Sequence, residues 1–262
     1  MKKAETFRRI IITLMAAILL TVTATAAAES ADSKAKTESF RTVGNIVTFG
    51  RYEQDNDPTN GPEEIEWIVL DVADGENPKA LLLSKYGLDA KQYNHRYEPI
   101  TWEECSLRSW LNDEFLKTAF TEKEQDAILV TEVDNSPEQG YIEWADVISG
   151  NDTQDKVFLL SCAEAKQYLD VTPENKENIK ARVAPTPYAI AQSAWVNNKY
   201  LTADGEPAGR WWLRSPGRYE YRAAHVIGNG SLQNSHVSAA ADHYGGGVVR
   251  PALWLNLDAD IF

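Results

Sequence analysis

Basic residues are scarce in this sequence. Its 262 residues include 26 lysines and arginines against 39 aspartates and glutamates, which gives a formal net charge of −13. A strongly acidic protein gains no long-range attraction to nucleic acid or to anionic lipid headgroups. The composition therefore predicts no nucleic-acid partner. The acidic composition does not identify a function by itself, because acidity also keeps a secreted protein soluble.

Long apolar runs are also missing, apart from one at the N-terminus. Residues 10–20 form a short apolar segment that follows a positive stretch and precedes an A-x-A site at Ala26 and Ala28, the pattern of a secretory signal peptide. We predict that residues 1–28 are removed and that the chain is secreted, with no membrane insertion after cleavage. These residues carry four positive side chains and one negative, so their removal leaves a net charge of −16. An uncleaved anchor is the alternative, although the run is short for a membrane span.

Cysteine is rare as well, with Cys105 and Cys162 as the two examples. Secretion permits a disulfide between them. Both cysteines, however, lie in apolar settings beside helix signals, where a thiol acts as a small apolar side chain. The sequence leaves both alternatives open.

Motifs of common catalytic and metal sites are not found. The chain has no G-x-S-x-G elbow of a serine hydrolase. His236, Asp242 and His243 carry groups that suit zinc, but their spacing matches no zinc motif. Residues 55–60 offer oxygen ligands without the EF-hand pattern and are interpreted as a polar turn. We therefore predict no catalytic residue, no metal and no cofactor, and keep an extracellular enzyme, such as a hydrolase, as the alternative function.

The rest of the chain divides into a linker and one domain. Residues 29–42 are polar and predict a disordered linker. Residues 43–262 predict a single globular α+β domain with a mixed or antiparallel sheet, several short helices and long loops, because strands come first, then helices, then strands. The predicted strands cover residues 45–49, 65–72, 80–83, 128–133 and 157–160, and residues 65–83 read as a hairpin.

Helix starts are indicated by a repeated signal. A serine or threonine followed three residues later by glutamate forms a capping box, which satisfies free amides of the first turn. The pattern occurs at Thr101, Thr121 and Ser161, and the third helix is predicted over residues 162–169. A fourth helix, over residues 187–195, is predicted from proline at its first position.

The last fifty residues suggest a binding surface. Two apolar segments, WWLRSPG at residues 211–217 and VVRPALWLNL at residues 248–257, are predicted to be paired core strands because their apolar residues alternate. The polar tract between them, residues 218–247, has the composition of an exposed loop, and loops on rigid scaffolds commonly bind ligands.

Aromatic rings beside amides and carboxylates suit sugar rings, and tyrosine and asparagine also suit protein recognition. We therefore predict that an extracellular glycan or protein ligand binds here. A surface loop with no ligand is the alternative. The predicted binding residues are Trp212, Tyr219, Tyr221, Asn229, Asn234, His236, Asp242, His243 and Tyr244.

Six motifs together resemble a known family. They are FGRY at residue 49, IEWIVLD at 65, LLLSKY at 81, TWEECSLRSWLN at 101, WWLRSPG at 211 and VRPALWL at 249. In this order they resemble a bacterial domain family of unknown function that is frequent in extracellular proteins of Gram-positive gut bacteria.

The C-terminal segment is also similar to the C-type-lectin-like fold of the formylglycine-generating type, also called sulfatase-modifying-factor-like. The similarity lies in Gly247, Arg250 and the apolar residues 252–255. It implies that residues 218–244 display the ligand-binding side chains. The oxidases of that type use two cysteines in the C-terminal part of the domain, whereas this chain has none after Lys166. That difference argues against the oxidase activity.

Overall fold

Short helices and mostly antiparallel sheets make this an α+β protein, as the order of the predicted elements indicated. The structure is a computed structural model that describes residues 35–144, 146–233 and 247–261. The predicted signal peptide lies outside these residues. Within the described ranges, no helix has the length and apolar character needed to span a membrane.

The elements are mostly short. The described strands are β1 (Ile46–Tyr52), β2 (Glu63–Ala73), β3 (Lys79–Ser84), β4 (Asp89–Lys91), β5 (Thr131–Val133), β6 (Thr153–Asp155), β7 (Val196–Leu201), β8 (Pro207–Gly209), β9 (Trp211–Pro216), β10 (Ala223–Val226), β11 (Leu232–Gln233), β12 (Gly247–Val249) and β13 (Ala252–Asn256). The described α-helices are α1 (residues 35–40), α2 (Ser106–Trp110), α3 (Leu116–Ala119), α4 (Glu122–Ala127), α5 (Cys162–Leu169) and α6 (Pro187–Ala191). A π-helical segment, Leu111–Phe115, joins α2 to α3, and 3-10 turns cover Pro137–Gln139, Ile142–Trp144 and Ile179–Ala181.

The first sheet has the strand order β1-β2-β3-β13, with all neighbours antiparallel. β2 is central because Ile65, Trp67 and Val69 alternate along one fully buried face. β2 and β3 form the predicted hairpin, in which Val69 pairs with Leu82. The hairpin prediction is therefore confirmed.

The second sheet has the order β11-β10-β9-β12-β4. β9 pairs antiparallel with β10 on one side and parallel with β12 on the other, where Val248 pairs with Trp211. The predicted pairing of the two terminal segments is thus correct only for β12. β13 belongs to the first sheet, because the chain changes sheets at Arg250 and Pro251.

Two of the three predicted capping boxes are present. Thr121 caps α4 and Ser161 caps α5, each with the reciprocal glutamate bond. The prediction at Thr101 is wrong, because α2 begins at Ser106 with Cys105 as its N-cap. Residues 102–104 form a turn instead, held by the buried Trp102 indole, which donates to the Asp155 carboxylate at 3.0 Å.

Other element predictions need smaller corrections. α6 starts at the predicted proline but ends four residues early, before Ser193 with its φ of 72°. Residues 157–160 are not a strand, since only Phe158 bridges to Ala252. The predicted strand at residues 128–133 shortens to β5.

The predicted linker is partly ordered. Residues 35–40 form helix α1, and Phe40 is 1% exposed within the hydrophobic core. Burying the phenylalanine contributes about 1.5–3 kcal/mol, and the Asn45 side-chain amide adds a bond to the Ser39 carbonyl at 3.0 Å. Residues 29–34 lie outside the described part of the chain.

Both cysteines are buried free thiols, so the structure has no disulfide between Cys105 and Cys162. Burial raises the pKa of Cys105 and of Cys162 to about 12. Each thiol therefore stays protonated and unreactive at neutral pH.

Candidate ligand-binding surface

The tract predicted to be exposed, residues 218–247, begins with an exposed turn and continues into a buried hairpin. All four residues of β10 are buried, because this strand lies between β9 and β11. His225 in β10 is 1% exposed and contacts the Trp212 ring edge-on at a centroid distance of 6.2 Å. The interpretation of the whole tract as a surface loop is therefore wrong for residues 223–226.

Trp212 is part of the core, so its prediction as a binding residue is corrected. Its side chain is fully buried, and the indole N–H donates to the Lys91 carbonyl at 2.9 Å. The Tyr93 ring lies 5.7 Å from it. A Cβ at Gly247 would come within 2.2 Å of the indole, so the backbone of β12 covers the ring closely.

Asn229 is also structural. It is 8% exposed, and its side-chain oxygen accepts from the Ser231 backbone N–H at 2.9 Å. The next residue, Gly230, has a φ of 91°, and a Cβ there would come within 2.1 Å of the Asn178 carbonyl. Asn229 therefore shapes a tight buried turn, because asparagine side chains bond their own backbone in turns.

The exposed part of the tract is an aromatic cluster. Tyr219 and Tyr221 stack with a centroid distance of 5.7 Å and an interplanar angle of 4°. The Arg222 guanidinium lies 5.1 Å from the Tyr219 ring centre and 5.8 Å from that of Tyr221. Tyr97 contacts Tyr221 at 5.3 Å. We call these four residues the tyrosine cluster; within it Tyr97 is 65% exposed and Tyr219 is 45% exposed.

Backbone bonds hold this cluster in place. Gly217 donates to the Arg222 carbonyl at 2.8 Å, and Arg222 donates to the Tyr219 carbonyl at 2.8 Å. These bonds close the turn between β9 and β10. Ile100 donates to the Glu220 carbonyl at 2.9 Å, which fixes the segment that carries Tyr97 against the turn. The rings are therefore presented from a fixed backbone.

Tyr97 was missed from the sequence. It lies in the polar stretch NHRYEP, more than a hundred residues before the other tyrosines of the cluster. The sequence shows Tyr97 only as an aromatic residue in a loop, and this does not identify which residues it contacts. The contact depends on the Ile100–Glu220 backbone bond, which is a property of the fold.

The remaining predicted residues, Asn234, His236, Asp242, His243 and Tyr244, lie outside the described residues and stay predictions. The last described residue before them, Gln233 of β11, pairs with His225 of β10.

Three carboxylates near the predicted polar turn also lie close together. Ligand oxygens of Glu53, Asp55 and Glu63 are within 4.8 Å of one another. Glu63 accepts from the backbone N–H groups of Gln54 and Asp55, and both Glu53 and Asp55 accept from that of Asp57. These bonds fold the turn, which is the role predicted for it.

A family model matches most of the chain. Residues 77–257 match the domain described as Domain of unknown function (DUF6273). The chain belongs to the DUF6273 family. No curated protein and no solved structure gives a significant match to it.

The DUF6273 match begins between β2 and β3, and so leaves out β1 and β2 with their FGRY and IEWIVLD motifs. These strands are nevertheless part of the same fold, because β2 pairs with β3 from Trp67 to Ala73. The matched range includes the described members of the tyrosine cluster.

Proposed function

We propose that this DUF6273 protein is a secreted, non-catalytic module that binds an extracellular glycan or protein through the tyrosine cluster, together with residues 234–246 of the predicted polar tract. The single observation that carries the proposal is the stacked pair of Tyr219, which is exposed, and Tyr221, which is half-buried, with Arg222 and the exposed Tyr97 beside it. Exposed rings that the fold holds in place without burying them are typical of binding surfaces.

Two physical features support this function. Tyrosine offers a large apolar ring and a hydroxyl, and fixes only two torsions on binding, so it gives contact area at low entropic cost. The backbone bonds from Gly217, Arg222 and Ile100 order the turn before any ligand arrives. A preorganised surface loses less entropy on binding than a flexible loop.

The C-type-lectin-like fold belongs to the same proposal. It is supported by the long connection from β9 to β12, which returns parallel and adjacent to β9. An experimental structure of the secreted chain tests this part. Strand order and connections that superimpose on a C-type lectin domain are expected, and a different strand order would contradict it.

The binding function is tested with arrays of glycans and of bacterial and host surface proteins, probed with residues 29–262. For a retained molecule, we expect Tyr219→Ala and Tyr221→Ala to raise Kd by at least about fivefold at one position, which corresponds to about 1 kcal/mol.

Tyr200→Ala is the matched control. Arg182 and Lys199 lie over the Tyr200 ring at 5.4 and 5.2 Å, so it has the same ring-and-cation chemistry in β7, outside the cluster. The control should leave Kd unchanged. The proposal fails if no molecule is retained, or if both cluster variants bind like the unmodified chain.

A further inference from the structure

A second site is indicated by a cavity of about 280 Å³ next to the first sheet. Ile46 of β1 and Ile68 of β2 line one side. The other lining residues include Ile179, Lys180, Arg182, Ala184 and residues 202–204. Arg250, at the point where the chain changes sheets, also lines it. The tyrosine cluster contributes none of the lining residues.

Arg250 is an unusual residue in this cavity. Its side chain is 1% exposed; Nε donates to the Ser84 carbonyl at 2.9 Å, and the guanidinium lies 5.0 Å from the Trp211 ring centre. Among the described residues, no carboxylate forms an ion pair with it, and Nη1 has no hydrogen-bond partner.

Burial without a counter-charge is costly for a cation, because one carbonyl and one aromatic ring repay its desolvation only in part. Burial lowers the pKa of Arg250 to about 9, which still leaves the guanidinium charged at neutral pH. Arg214, the other fully buried arginine, shows the usual arrangement, since it pairs with Glu164. An anion in the cavity would give Arg250 the partner that Arg214 already has.

The other charged side chains around the cavity also favour an anion. Lys180 is exposed and forms no ion pair within the described part of the chain. Lys85 pairs with Glu66 at 3.2 Å and Asp204 at 3.5 Å, and Arg182 pairs with Glu177 at 2.9 Å. The four lining cations therefore exceed the three carboxylates they contact, in a chain whose net charge is −13.

The remaining walls are apolar. Ile46 and Ile179 are 51% and 52% exposed, and Ile68 and Ala184 also line the space. An inorganic anion would leave these side chains in water, whereas an organic ligand would cover them. A guanidinium matches the planar geometry of a carboxylate.

We propose that this cavity binds a small organic carboxylate, with the carboxylate on Arg250 and the hydrocarbon part against the isoleucines. The proposal is independent of the ligand of the tyrosine cluster. Lys180 adds attraction from the exposed side, and Asp204 opposes it.

Butyrate is a suitable probe, with butyramide as its uncharged match and inorganic phosphate as the anion without an apolar part. Binding to residues 29–262 is followed by nuclear magnetic resonance shifts of the isoleucine methyl groups. Butyrate should shift Ile46, Ile68 and Ile179 at millimolar concentration, and butyramide should not. Equal binding of butyrate and butyramide, or binding of phosphate without butyrate, would overturn the proposal, as would no binding at all.

Surface variants test the charges without disturbing the core. Lys180→Ala should weaken butyrate binding and Asp204→Asn should strengthen it, each by about two- to fivefold, the usual range for exposed charge contacts. Lys176→Ala, an exposed lysine that does not line the cavity, is the control and should change nothing. The proposal is wrong if Lys176→Ala and Lys180→Ala have equal effects. Arg250→Gln should abolish binding in a variant that still unfolds cooperatively.

Discussion

Strand β9 and the turn that follows it carry the same kinds of side chain in opposite environments. In β9, Trp211 and Trp212 are fully buried and Arg214 bonds to Glu164 and to the Leu159 carbonyl inside the core. In the turn, Tyr219 is 45% exposed and Arg222 lies over its ring. Aromatic and arginine residues are thus part of the core in β9, where both faces of the strand are buried, and reach solvent in the turn, where backbone bonds hold the segment. The predictions below test this contrast.

The largest expected effect is on β9. Trp211→Ala should lower the free energy of unfolding by about 3–5 kcal/mol, because it opens a cavity in the core. Trp254→Ala is the matched change on β13, where the indole is partly exposed and Lys79 lies 4.5 Å above it. It should cost only about 1 kcal/mol. Urea unfolding measures both values, and equal losses would show that Trp211 is no more buried than Trp254.

The second prediction concerns Tyr93, which packs against Trp212 and donates to the Arg214 carbonyl at 2.9 Å. Burial raises the pKa of Tyr93 well above its usual value. A raised pKa stabilises the fold below the unfolded value of about 10, and this contribution is lost as the pH rises further.

Tyr93→Phe should therefore cost about 1 kcal/mol at pH 7, from the lost hydrogen bond. Above pH 10 its stability should fall less steeply than that of the unmodified chain, by up to about 1.4 kcal/mol per pH unit. Urea midpoints measured from pH 8 to pH 11 check both statements. Parallel slopes for the two proteins would mean that Tyr93 is open to solvent.

The smallest effect is expected in the turn. Tyr219→Ala should change the free energy of unfolding by no more than about 0.5 kcal/mol, as exposed substitutions usually do. Thermal melting of this variant beside Trp211→Ala measures it. A loss similar to that of Trp211→Ala would make the tyrosine cluster part of the core and remove it as a binding surface.

The sequence predicted the elements whose signals are local. The β2–β3 hairpin follows from two apolar runs separated by a short turn, and α4 and α5 follow from capping boxes, which need only residues three positions apart. The same pattern failed at Thr101 because Trp102 and Asp155, far apart in the chain, bond to each other and hold a turn there.

The candidate site was predicted only in part, for a similar reason. Alternation in WWLRSP does not reveal that both faces of β9 are buried, which is why Trp212 was assigned to the surface. Tyr219 lies exposed in the turn after β9, as expected for the polar tract, and Tyr221 is half-buried there, while Tyr97 joins them through a backbone bond between distant segments. That Arg250 lacks a carboxylate partner among the described residues is visible only in three dimensions.

Hydroxyl-radical footprinting of residues 29–262, with and without a molecule retained on the arrays, tests the central claim most directly. It measures the oxidation rate of each tyrosine and therefore locates the contact without any substitution. The account predicts that the ligand protects Tyr97, Tyr219 and Tyr221 and leaves Tyr200 unchanged. Oxidation of the three cluster tyrosines at the same rate with and without ligand, with protection elsewhere, would contradict it.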